Sequence, residues 1–312
     1  MLQSTVQTGS VERDALFVAL GLFTVYHIVM LVRAARRLRA ETGEASRPTI
    51  GGLATGFLAN FLDTLGIGSF ATETAIFRKW RLVRDERIPG TLNVANTLPT
   101  IAEAFIFTGL VPVGARTLIG MIAAAILGAW LGAGFVSRWP RRRIQIGMAL
   151  TLATLAAIFV WRMIGNPSGG NLLELNGTLL VVGLIGNFML GALMTIGLGL
   201  YAPCMILVSL LGMDPKAAFP IMMGSCAFLM PIASARFVRA RAFDLRASAG
   251  VILGGIPGAI IAGLFVKSLP TRAVEVIVVL VALYAAAGLV RAARRESSQP
   301  TDASVAEAQS AA

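Results

Sequence analysis

Cysteine, histidine and charge are all scarce in this chain, and each shortage closes a class of function. Only two cysteines occur in 312 residues, Cys204 and Cys226, both in apolar context, so there is no disulfide framework. They read as small buried hydrophobes. His27 is the single histidine and reads as a packed polar residue. A serine intramembrane protease needs a histidine partner, and His27 is the only candidate; the aspartyl type needs two membrane aspartates, and Asp63 stands alone in an apolar run. No cluster has metal-ligand spacing. The sequence therefore predicts no catalytic residue, no metal, no cofactor and no enzyme. Charged residues make up 14%, where a soluble domain approaches a quarter.

Apolar sequence fills the gap. Hydrophobic residues reach 56% and the mean hydropathy is +0.77. Runs of roughly 18 or more apolar residues recur, the signature of transmembrane helices. The formal charge of +11 would suit a nucleic-acid binder, but 21 of the 27 Lys and Arg residues lie in five short clusters between apolar runs. Those clusters (33–47, 78–87, 138–143, 236–246 and 291–295) are what the positive-inside rule expects of cytoplasmic loops, and no nucleic-acid partner is predicted. The predicted organisation is an extracytoplasmic N-terminus at 1–14, a first transmembrane helix at 15–33 and a cytoplasmic basic loop at 34–49. A first repeat at 50–164, an external linker at 165–176 and a second repeat at 177–291 follow. A disordered cytoplasmic tail at 292–312 closes the chain. About seven full spans and two shorter hairpins are expected in the bilayer. Nothing in the composition bears on oligomeric state.

The repeat is visible residue by residue. Thr64, Gly66, Gly68 and Pro89 recur at one constant offset as Thr195, Gly197, Gly199 and Pro220, with Phe70 meeting Tyr201. After a single gap in the register, Arg116, Gly120, Gly128, Phe135, Pro140 and Arg142 recur in the same way as Arg246, Gly250, Gly258, Phe265, Pro270 and Arg272. Charge placement turns the second copy over relative to the first. The fold class is thus an all-α polytopic membrane protein with two inverted-topology repeats, each carrying a broken or re-entrant hairpin, preceded by one extra helix.

Each repeat is broken at the same place. In Asn60-Phe-Leu-Asp63-Thr64-Leu-Gly66-Ile-Gly68-Ser69-Phe70 two glycines interrupt the helical pattern, and Thr195-Ile-Gly197-Leu-Gly199-Leu-Tyr201 repeats it. A broken helix at membrane depth persists only where it lines a cavity or is buried in protein. Gly66 and Gly68 permit a sharp turn, and Ser69 is placed to cap the following helix. The first amides of a helix lack internal partners and carry the positive end of its dipole, so they attract anions. Two such starts in symmetric positions predict a shared site for a small anionic solute. Its candidate residues are Thr64, Gly66, Gly68, Ser69, Asn93, Asn96, Thr195, Gly197, Gly199 and Tyr201, with Asp63 as coupling candidate. The second half is more apolar, since Asp63 aligns with Met194 and Ser69 with Leu200. For Glu73 and Glu103 a structural role is expected.

The stretch from Gly56 to Thr72, with Pro89-Gly-Thr-Leu-Asn93 and Asn96-Thr-Leu-Pro99, resembles the TauE/SafE sulfite exporter family. The resemblance runs from about Ile50 to Val290 and includes both glycine breaks. It implies a multi-pass permease of the bacterial plasma membrane moving sulfite, sulfoacetate or a related organosulfonate. A carrier of another small organic or inorganic anion is the alternative; a channel lacks the expected rings of charge or carbonyls.

Overall fold

The computed structural model describes residues 2–42, 47–136, 141–165, 170–194 and 199–297. Eleven α-helices account for most of them: α1 Leu2–Thr42, α2 Ile50–Thr64, α3 Ser69–Lys79, α4 Ile88–Leu110, α5 Ala115–Val136, α6 Arg141–Gly165, α7 Gly177–Met194, α8 Tyr201–Leu210, α9 Ala218–Arg239, α10 Leu245–Ser268 and α11 Thr271–Ser297. The β-pairing among the described residues is an isolated bridge, Leu172 with Met213, tying the linker before α7 to the turn after α8. Among the described residues, six helices (α1, α6, α7, α9, α10 and α11) are long and apolar enough to cross a membrane. By contrast α3 has 11 residues and α8 has 10, so each is roughly half a bilayer long at 1.5 Å per residue. Each apolar run of the sequence coincides with a helix.

The ends differ from expectation. The first helix does not stop at residue 33 but continues to Thr42, because Ala, Leu and Arg in the basic stretch are strong helix formers. The last helix likewise runs on to Ser297; residues 298–312 of the expected tail lie outside the described residues.

Helix starts repeat with the sequence. Those of α4, α5 and α6 (Ile88, Ala115 and Arg141) recur at one constant spacing as those of α9, α10 and α11 (Ala218, Leu245 and Thr271). After α3 the chain turns through Arg81 at φ 49°, and after α8 it turns through the matching Gly212 at φ 86°. A short 3-10 turn follows in each case, Asp85–Arg87 and Pro215–Ala217.

Packing crosses between the halves. The first-half α2 lies on the second-half α10, the first-half α5 lies on the second-half α7, α4 lies on α9 and α6 on α11. Lipid offers no hydrophobic drive between helices, so contact depends on close van der Waals fit, which small residues allow. A Cβ on Gly52 would lie 3.3 Å from the Gly250 Cα, and one on Gly254 would run into the Leu53 carbonyl. At the other crossing a Cβ on Gly128 would meet the Phe188 carbonyl, and one on Gly191 the Ala125 carbonyl. The centre of the molecule is α9, with 83% of its most apolar window buried, against 17% for α1 at the edge. Gly254→Leu is expected to destabilise the protein by about 1–3 kcal/mol through overpacking. Gly21→Leu, where a side chain meets nothing within 4 Å, should be neutral or stabilising. Thermal unfolding in detergent measures both.

Candidate functional site

The break between α2 and α3 is a tight reversal at the base of a hairpin. The end of α2 closes with the Gly66 amide donating to the Asp63 carbonyl at 2.7 Å and the Ile67 amide donating to the Leu62 carbonyl at 3.1 Å. That pattern needs a left-handed residue after the cap, and Gly66 supplies it at φ 93°. Gly68, at φ 85°, is then the N-cap of α3 and brings no capping side chain. Ser69 is already inside the helix, so the expected serine cap does not form. The buried Asp63 carboxylate takes that place: its Oδ1 accepts from the Ser69 backbone N–H. One residue thus closes α2 with its carbonyl and opens α3 with its side chain. An aspartate at a helix start is matched both to the orphan amides and to the dipole.

A buried polar network grows from this point into α4. The Asn60 amide nitrogen donates to the Asn96 side-chain oxygen at 2.9 Å and to the Gly56 carbonyl at 3.0 Å. Asn96 in turn donates to Glu73 Oε2 at 3.0 Å and to the Leu92 carbonyl at 2.9 Å. Thr64 Oγ1 lies 2.8 Å from the Asn60 carbonyl and 2.6 Å from Glu103 Oε1. Asn60, Asp63, Thr64, Ser69, Glu73, Asn96, Thr100 and Glu103 are all at most 3% exposed. The structure thus gives Glu73 and Glu103 hydrogen-bonded places beside the break.

The second half meets the first here. The side chain of Tyr201, the first residue of α8, lies within reach of those of Asp63, Thr100 and Cys226. A Cβ on Gly66 would lie 2.6 Å from Met205 Sδ of α8. The start of α8 therefore sits against the α2–α3 break, with Pro203 in its first turn, where a missing N–H costs nothing. Thr195 and Gly197 lie outside the described residues. Gly199 is exposed, with nothing within 4 Å of where a Cβ would be.

Among the predicted residues, Thr64, Gly66, Ser69, Asn96 and Tyr201 come together with Asp63, and Gly68 shapes the turn. Asn93 does not join: its carbonyl accepts from Thr97, and its side-chain oxygen has no partner. Thr97 faces α9, 2.9 Å from Ser234 Oγ. The face of α4 turned to the break is Asn96, Thr100 and Glu103, spaced at four and three residues, a helical stripe legible in the sequence. His27 lies in α1 with Nε2 3.3 Å from the Val94 carbonyl, away from this face. Two surface hollows of about 420 and 390 Å³ lie elsewhere, in an alanine-lined groove between α6 and α11.

A bundle of helices long and apolar enough to cross a membrane, packed around a buried polar cluster at the α2–α3 break, is that of a multi-pass membrane protein. A family model described as Sulfite exporter TauE/SafE matches residues 5–159 and 179–311, nearly the whole chain, and the protein belongs to that family. Searches of curated proteins and of solved structures returned no match.

Asn96→Ala removes the acceptor that holds Asn60 and the donor that holds Glu73. It should destabilise the protein by about 1–3 kcal/mol, the penalty for stranding a buried acceptor. Asn93→Ala should cost less than about 0.5 kcal/mol. Chemical unfolding in detergent tests the contrast.

Proposed function

We propose that the protein is a secondary transporter that carries sulfite or an organosulfonate such as sulfoacetate across the bacterial plasma membrane, coupled to an ion gradient or the membrane potential. The observation that carries this reading is the Asp63 carboxylate on the first amide of α3, beside Tyr201 at the start of α8. A helix start that already binds a carboxylate is one that binds oxyanions. The substrate's place is the end of α3 lined by Thr64, Gly66, Gly68 and Ser69, with Asn96 behind it and Tyr201 opposite. Thr195, Gly197 and Gly199 complete the second half-site in this reading.

The two halves are inverted repeats, with the N-terminus outside and the C-terminus in the cytoplasm. The recurrence of helix starts at a constant spacing and the reciprocal pairing of α2 with α10 and α5 with α7 support the duplication. The distribution of Lys and Arg supports the inversion. The same site would accept another small oxyanion, since a helix start favours any anion; comparison of sulfite, sulfonates and carboxylates in proteoliposome flux separates the two.

Gly66→Val should reduce flux at least ten-fold in protein that still inserts, because residue 66 needs a positive φ and touches Met205. Wild-type flux in Gly66→Val would remove the broken-helix site. Asp63→Asn should change the pH dependence of flux, since it removes the negative charge that Asp63 places at the start of α3. A variant profile that superimposes on the wild type would reject a coupling role for Asp63.

A further inference from the structure

Hydrogen bonds around Thr64 do not balance with the protons the side chains ordinarily carry. A threonine hydroxyl has one proton to donate. Thr64 Oγ1 nevertheless makes two short oxygen contacts, 2.8 Å to the Asn60 carbonyl and 2.6 Å to Glu103 Oε1. A carbonyl brings no proton. Two separate, full-strength hydrogen bonds at these lengths need a second proton, which Glu103 supplies by donating to Thr64.

The rest of the cluster lacks donors too. Its unpartnered buried atoms are Asn60 Oδ1, Glu73 Oε1 and Glu103 Oε2, all of them acceptors. Asn60, Glu73 and Glu103 are each 0% exposed. The described ion pairs Arg78–Asp85, Arg241–Glu41 and Arg272–Glu275 involve none of these residues. The groups around Glu103 are Asp63 from α2, Tyr201 from α8 and Cys226 from α9, with Glu73 of α3 joined through Asn96. From α1, His27 and Arg13 reach α4 only at the carbonyls of Val94 and Val111, and the buried residues of α10 include no charged side chain. A second uncompensated carboxylate in such a place costs several kcal/mol. A proton on Glu103 supplies the donor that the Thr64 contacts lack.

We propose that Glu103 is a proton-binding site of the transporter: a neutral carboxylic acid that donates to Thr64 while the neighbouring Asp63 is the ionised cap of α3. This inference rests on the reading of α3 as the anion's place and adds the ion that travels with it. With its proton, Glu103 leaves one negative charge beside that place. Without it, Thr64 turns its hydroxyl to the Glu103 carboxylate, two negative charges face the site and an anion is expelled. Anion and proton are therefore bound together and released together.

The test uses the full chain in detergent and needs no substrate. Infrared difference spectra between neutral and alkaline pH should show a protonated carboxylic acid carbonyl band that is lost in Glu103→Gln and retained in Asp63→Asn. Thr64→Val should keep that band and shift it, since the acid loses its acceptor; this variant also serves should Glu103→Gln fail to insert. Absence of the band at neutral pH, a band unchanged in Glu103→Gln, an unshifted band in Thr64→Val, or a band removed by sodium at constant pH would each overturn the proposal. A band assigned to Glu103 together with no flux of sulfite or sulfonates would leave the proton site standing and reject the substrate reading; flux without the band would do the reverse.

Discussion

A peptide group stranded in hydrocarbon costs several kcal/mol, and the arrangement at Asp63 follows from that constraint. Ending a helix at membrane depth exposes carbonyls, and starting another exposes amides. Asp63 answers both within one reversal, its carbonyl taking the Gly66 amide and its carboxylate taking the Ser69 amide. The cost moves to the carboxylate, which is buried and pairs with no cation among the described residues. Asn60, Thr64, Asn96, Glu73 and Glu103 form the polar environment that makes this tolerable, and Tyr201 closes it from the other half.

Basic side chains at helix ends obey the same rule. Arg13 donates to the carbonyl of Val111 at the end of α4, Arg162 to that of Leu210 at the end of α8, Lys216 to that of Leu269 after α10, and Arg272 to that of Met163 in the last turn of α6. Each is a cation on the carbonyl end of a helix, where both the orphan acceptors and the dipole favour it. These four lie outside the five basic clusters of the sequence, and in the fold each closes a helix end.

Much of this was legible beforehand because oil leaves few options. Apolar runs gave the helices, and two glycines gave the break between α2 and α3. The capping assignment was not legible. Ser69 has the chemistry of a cap, but Gly68 at positive φ puts Ser69 one position inside the helix, and the three-dimensional reversal brings Asp63 from six residues back. Asn93 and Asn96 lie three residues apart, yet only Asn96 is turned to the break; choosing between them required knowing that Thr100 and Glu103 continue its stripe. Glu73 and Glu103 carry no local signal of their role, because their partners Asn96 and Thr64 lie 23 and 39 residues away in sequence.

The glycine-lined crossing of α2 with α10 has a mechanical consequence. Backbones in direct contact cannot slip past one another by a side-chain rotamer change, so α2 is fastened to a helix of the opposite half rather than to its own. The same holds for α7 on α5. Any motion that parts α2 from α10 or α7 from α5 must therefore break backbone-to-backbone contacts between the two ends of the chain.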